Sequence, residues 1–373
     1  VWEILSLPVL FYAGLETVLP ESVQLLGLGS HAVSAPLAWW AVMIVTALNL
    51  GYVWVLRKRS RLEERLNITG LAHVICAVAA VMYTWGIART TPSLADTMMA
   101  VLWAGPLVAA GSVAFRISVW QTFTIVLALI GILSVGTTSA RHTPPGLEVP
   151  LVVFSPLAIG AALALEKLGS GDPKPDRRTA AILYVAMHIA MASLLAVQVS
   201  TKWFVAAETA VGVGTVLLAV VTGSRHLFWA TVIPAAIAAY AFFAQLLQGV
   251  PTPAPKFPLL AGALLFTLLA ALFGTESFGR RAGIRRGSQS QPVAEFLMML
   301  AGGAMITVWG HYVFGTTFFV VAAVFGSLAA AEAVLAGRPM LIIIGFFFLI
   351  VSGIILATVA FDARGAAEGA GVT

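Results

Sequence analysis

Apolar stretches of about 20 residues alternate with short polar breaks along the whole chain. A bilayer hydrocarbon core about 30 Å thick takes about 20 residues of helix to cross. On that measure the pattern predicts about thirteen membrane-spanning helices, near 2–20, 36–56, 68–88, 94–115, 119–138, 149–167, 179–199, 203–223, 226–248, 257–274, 293–313, 316–336 and 340–361. The first carries Glu3, Pro8 and Glu16, and the tenth is short. The runs are continuous, without the in-out alternation of barrel strands, which excludes a transmembrane β-barrel. The predicted fold class is therefore all-α, a polytopic transmembrane helix bundle.

Composition agrees. Of 373 residues, 60% are hydrophobic and 10% charged, against roughly 25% charged in an average soluble domain. No single soluble core hides that much apolar surface, and the composition also excludes a disordered chain. The lone cysteine, Cys76, excludes an intramolecular disulfide and reads as a small buried apolar residue. The first stretch lacks a basic leader and a small-residue cleavage site, so it is expected to be a membrane helix.

Charge placement sets the expected orientation. Arg57, Lys58, Arg59, Arg61 and Arg65 form one basic loop; Lys167, Lys174, Arg177 and Arg178 a second; Arg280, Arg281, Arg285 and Arg286 a third. With thirteen spans these loops share one side with Arg116, Arg225 and Arg338, leaving Arg89, Arg141, Lys202, Lys256 and Arg364 on the other. Basic residues resist translocation. The N-terminus is thus expected in the cytoplasm of a bacterial-type cell, the chain in the inner membrane, and the tail 362–373 outside. The net charge of +5 is explained by these loops, with no nucleic-acid partner implied. The expected partner is the lipid bilayer, joined by other membrane subunits if the chain belongs to a complex. External loops are expected at 137–150 and at 249–258, the latter stiffened by Pro251, Pro253, Pro255 and Pro258. Residues 21–35 are mildly amphipathic and suit the interface.

Two helix triplets look alike. Tyr83-Thr84-Trp85-Gly86, Gly105-Pro106-Leu107-Val108-Ala109-Ala110 and Ile130-Gly131-Ile132-Leu133 are echoed by Thr307-Val308-Trp309-Gly310, Gly326-Ser327-Leu328-Ala329-Ala330-Ala331 and Ser352-Gly353-Ile354-Ile355. The copies lie eight spans apart, which implies a parallel repeat. Chance likeness among Ala-, Gly- and Leu-rich helices is the alternative. The expected organisation is a five-helix unit at 1–140, a three-helix insert at 141–224, a second five-helix unit at 225–361 and the tail.

The stretch Val81 to Pro92, with Gly105-Pro106-Leu107 and Gly131-Ile132-Leu133, resembles the three closing helices of one half of the drug/metabolite transporter superfamily. The stretch Phe325-Gly326 through Glu332 and Gly337-Arg338-Pro339 to Gly353-Ile354 is similar to it too. The resemblance covers about a third of the chain and implies a secondary transporter. It departs from the family in two ways. The family has ten helices in inverted repeats, and Gly111 stands where the second copy has Glu332.

Ionisable groups at membrane depth are costly and mark sites or buried pairs. His188 is the deepest, with Tyr184 one turn before it. It reads either as a proton-coupling residue or as a neutral imidazole hydrogen-bonded between helices. A haem ligand is a weaker reading, since His73 and His311 lie at mismatched depths, and no cofactor is expected. Glu208 pairs with Lys202 or faces a cavity with Gln198. Glu16 and Glu332 are further candidates for proton or cation binding, whereas Asp96 suits a helix N-terminus. Pro106, Pro156 and Pro234 are expected kinks, and Gly302-Gly303 and Gly212-x-Gly214 close helix contacts. No nucleotide-binding loop, metal-binding spacing or nucleophile elbow is present. Catalysis is not expected, and transport would not be ATP-driven.

Two functions are consistent with these residues: a secondary transporter of a small metabolite or lipid-like molecule, or a non-catalytic subunit that anchors a membrane complex. The orientation is open to direct test. With Cys76 replaced by Ala, an impermeant thiol reagent added outside cells should label a cysteine at position 252 and miss cysteines at 60 and 288; external labelling at 60 would reverse the topology.

Overall fold

The computed structural model describes residues 35–58, 68–90, 94–139, 148–247, 256–284, 290–314, 318–336 and 339–370. The first expected span, the interfacial stretch 21–35 up to Ser34, and most of the loops at 57–67, 137–150 and 249–258 lie outside them. All regular structure among the described residues is helical: α1 Ala35–Lys58, α2 Ile68–Thr90, α3 Leu94–Phe115, α4 Trp120–Ser139, α5 Glu148–Lys167, α6 Pro173–Gln198, α7 Thr201–Thr222, α8 Arg225–Ala230, α9 Val232–Leu247, α10 Lys256–Gly274, α11 Glu276–Arg281, α12 Ser290–Phe314, α13 Phe318–Ala336 and α14 Pro339–Ala370. Helices occupy every predicted span from 36–56 onward. Eight stretches among the described residues are long and apolar enough to cross a membrane, and the chain is a polytopic membrane protein.

Two details differ from the sequence pattern. The span at 226–248 is split at Thr231 into α8 and α9, with Pro234 in the first turn of α9. Proline has no N–H to give to the carbonyl of Ala230, so the ladder breaks there. The tail expected after 361 continues as helix to Ala370, because its Ala, Glu and Arg residues favour helix. At 32 residues, α14 is about 48 Å long.

The chain divides into two compact units, Val1–Val197 and Gln198–Thr373. In the first, α4 packs on both α2 and α3, α1 lies against α2, and α5 against α3. Val53, Ile75, Ala79, Tyr83, Phe123 and Leu127 fill the core. The rings of Tyr83 and Phe123 lie 5.9 Å apart, and the Tyr83 hydroxyl donates to the carbonyl of Ala100.

In the second unit α10 sits between α7 and α12. Small residues mark these crossings. A Cβ on Gly262 would lie 2.7 Å from Val205, and one on Gly212 would lie 2.8 Å from Leu269. Gly302 abuts Thr267 and Phe266, and Gly303 abuts the ring of Phe348. Gly214 faces open space, so only the first glycine of that pair serves close approach.

The third helix of each similar triplet packs on both others. Gly105 lies against the backbone carbonyl of Thr124, at 3.7 Å from its virtual Cβ, and Gly326 against that of Gly345, at 2.9 Å. The pairs occupy matching places in the two triplets. The Trp-Gly steps do not match: Gly86 meets Val42 of the preceding helix, whereas Gly310 meets Phe318 of the following one.

At the tighter pair, any side chain on Gly326 must displace backbone. Gly326→Leu should lower stability by about 1–3 kcal/mol, read as a drop in the melting temperature of the detergent-solubilised protein. A melting temperature equal to wild type would show that α13 and α14 do not meet as described.

Candidate functional site

The 26 residues of α6 place His188 near mid-helix, about 15 Å from its C-terminal end. Its side chain is completely buried, and neither ring nitrogen has a hydrogen-bond partner among the described residues. The expected interhelical hydrogen bond is thus not made there. One turn earlier, the fully buried Tyr184 donates its hydroxyl to the half-buried Glu166 carboxylate at the end of α5, 3.4 Å away.

Glu208 belongs to the second unit. Val205, Glu208 and Gly212 share one face of α7 by their three- and four-residue spacing, and Val205 and Gly212 touch α10 at Gly262 and Leu269. Glu208 therefore lies in the α7–α10 interface. The facing stretch of α10 is apolar except Thr267, whose hydroxyl donates to Ala263 within its own helix. Glu208 is completely buried, and both carboxylate oxygens lack partners among the described residues. The expected pair with Lys202 is not made, since neither carboxylate oxygen has a partner among the described residues; Lys202 and Gln198 are both exposed.

The other candidates separate from these. Glu16 lies outside the described residues. Glu332 stands in α13, its side chain outside the described set. Asp96 occupies the first turn of α3 as expected. His73 uses Nδ1 in a hydrogen bond to Thr122 Oγ1 at 2.5 Å.

A buried polar cluster was not foreseen. Asp176, in the first turn of α6, accepts from Ser170 N (2.9 Å), Ser170 Oγ (2.6 Å) and Gln121 Nε2. Gln121 Nε2 also reaches Ser170 Oγ, and Thr179 Oγ1 donates to Gln121 Oε1. All four residues are buried. The carboxylate thereby fastens the α5–α6 turn, with Gly169 and Gly171 at positive φ, to the start of α4. The basic neighbours Lys174, Arg177 and Arg178 stay exposed. The local sequence carries a signal for half of this: Asp172 and Pro173 read as a helix start, and Asp172 Oδ1 does accept from Lys174 N. Nothing in the sequence ties Gln121 to a residue 55 positions away.

No family model, curated protein or solved structure matches the chain. The geometry offers two enclosed ionisable groups without partners among the described residues, one in each unit, and one satisfied carboxylate cluster.

The cluster's role is structural, and its loss should show as instability. Asp176→Ala strands the buried Ser170 and Gln121 donors, which should cost about 2 kcal/mol or more. Thermal denaturation of the purified variant tests this; unchanged stability would show that the cluster does not secure the turn.

Proposed function

We propose that the chain is a secondary transporter of a small metabolite or lipid-like solute, with His188 and Glu208 carrying a coupled proton or cation. One observation supports this above the rest. Both groups are fully enclosed within predicted spans and lack hydrogen-bond partners among the described residues. A charged group left so at membrane depth costs about 2.5–3.5 kcal/mol or more. Such a cost is retained where the group takes and releases a ligand. Alternating access would open these closed interfaces and give each group its partner in turn.

The finer organisation belongs to the same proposal: thirteen spans, a cytoplasmic N-terminus in a bacterial inner membrane, and division at 1–140, 141–224 and 225–361 with an external tail. Glu16 and Glu332 remain second candidates for the coupling site. The matched approaches of Gly105 to Thr124 and Gly326 to Gly345 support a repeat, and with it the likeness to drug/metabolite transporters. A specific observation favours the other reading, a scaffolding subunit of a membrane complex: the helix packing around Glu208 is apolar and closed.

Proteoliposomes with an entrapped pH dye, challenged with a panel of metabolites, separate the two. A transporter should give a solute-dependent pH change that His188→Leu and Glu208→Met each abolish. Both variants remove an unsatisfied buried group, so each should also gain about 1–3 kcal/mol in stability. Full flux per folded molecule in both variants would refute the coupling role. No flux for any solute, with co-purification of fixed membrane subunits, would favour the scaffold.

A further inference from the structure

The first unit carries a groove of about 270 Å³ lined by Ala47, Leu50, Gly51, Trp54, Phe115 and Trp120. Its floor is shaped by two features. Gly51 has nothing within 4 Å of a virtual Cβ, so the α1 surface is bare there. Trp120 is held by its indole N–H, which donates to the carbonyl of Leu50 at 3.0 Å, and its ring meets Phe115 edge-on at 5.6 Å. Trp54 is 37% and Phe115 63% exposed, so the groove opens outward.

A basic residue adjoins the lining of this groove. Phe115 is the last residue of α3 and Trp120 the first of α4. Arg116 follows Phe115 directly and is exposed. Its backbone is unusual: φ is +54°, and among the described residues every other positive φ belongs to glycine. The hydrogen bonds Arg116 N to Val113 O and Ile117 N to Ser112 O close α3. The same pattern closes α11, with Gly283 N to Arg280 O and Ile284 N to Gly279 O. There the left-handed position is glycine, its usual occupant. At α3 the chain keeps an arginine instead, in a conformation that costs a side-chain-bearing residue.

We propose that this groove binds an anionic phospholipid, one acyl chain lying along Gly51 and the aromatic rings and the phosphate meeting Arg116. The groove's apolar lining suits a chain and no polar solute. Tryptophans prefer the headgroup level, and basic residues there attract anionic headgroups. The site is independent of the transport proposal.

The test uses the full-length protein in phosphatidylcholine vesicles doped with brominated-acyl phosphatidylglycerol or, separately, brominated-acyl phosphatidylcholine. Bromine quenches tryptophan on contact, and subtracting the signal of Trp54→Phe isolates the groove. Phosphatidylglycerol should win by about fivefold through the one arginine engaged. Arg116→Gly should remove the preference while keeping or raising the melting temperature, since glycine relieves the backbone; Arg116→Lys should restore it. Equal quenching by the two lipids in wild type, or a preference that survives Arg116→Gly, would overturn the proposal. Protection of Trp54 from both lipids together with a cross-linked dimer would place a second copy in the groove and overturn it too.

Discussion

Lipid offers no hydrogen bonds, and the rest of the structure depends on that. Each backbone N–H and C=O in a span must be satisfied inside its own helix, which leaves helices as the only elements found among the described residues. The same rule sorts the side chains. Thr46, Thr84, Thr209, Thr215, Thr267 and Thr307 all donate back to the carbonyl four residues earlier. These hydroxyls are neutralised within a single turn and carry no information about a site. His188 and Glu208 make no such bond among the described residues, so they stand out.

Packing is governed by the corollary. Between helices already in lipid, no hydrophobic gain drives association, so shape complementarity and a few cross-helix hydrogen bonds must do so. The glycines at 212, 262, 302 and 303 supply the first. Ser352 donating to Phe319 O, Thr124 to Gly105 O and Trp103 to Pro150 O supply the second. These last three bonds each reach a carbonyl on another helix.

Much of the fold was legible because a membrane span depends on length and hydropathy, which are local. The spans from 36–56 onward needed no partner information. What escaped was non-local or backbone-specific. Gln121 gives no hint of meeting Asp176, since each is an ordinary polar residue at the edge of an apolar run. The placement of Glu208 turns on Val205 and Gly212 meeting α10, a face that hydropathy alone does not select. Pro234 pointed to a disturbance, but the position of the break at Thr231 depends on which carbonyl loses its donor. Hydropathy does not disclose the helical extension to Ala370, because charge ends the apolar run while helix propensity continues past it.

The approach of Gly326 to the carbonyl of Gly345 bears on how the molecule is made. These residues are close in sequence and leave no room for an acyl chain between their helices. Once α13 and α14 are both inserted, they can zip together without waiting for any other segment, and form a hairpin that travels as one piece. Such a hairpin can dock on α12 as a unit, instead of as two separate helices. Mutational drift at the two glycines is confined together: enlarging either one requires the other helix to give way.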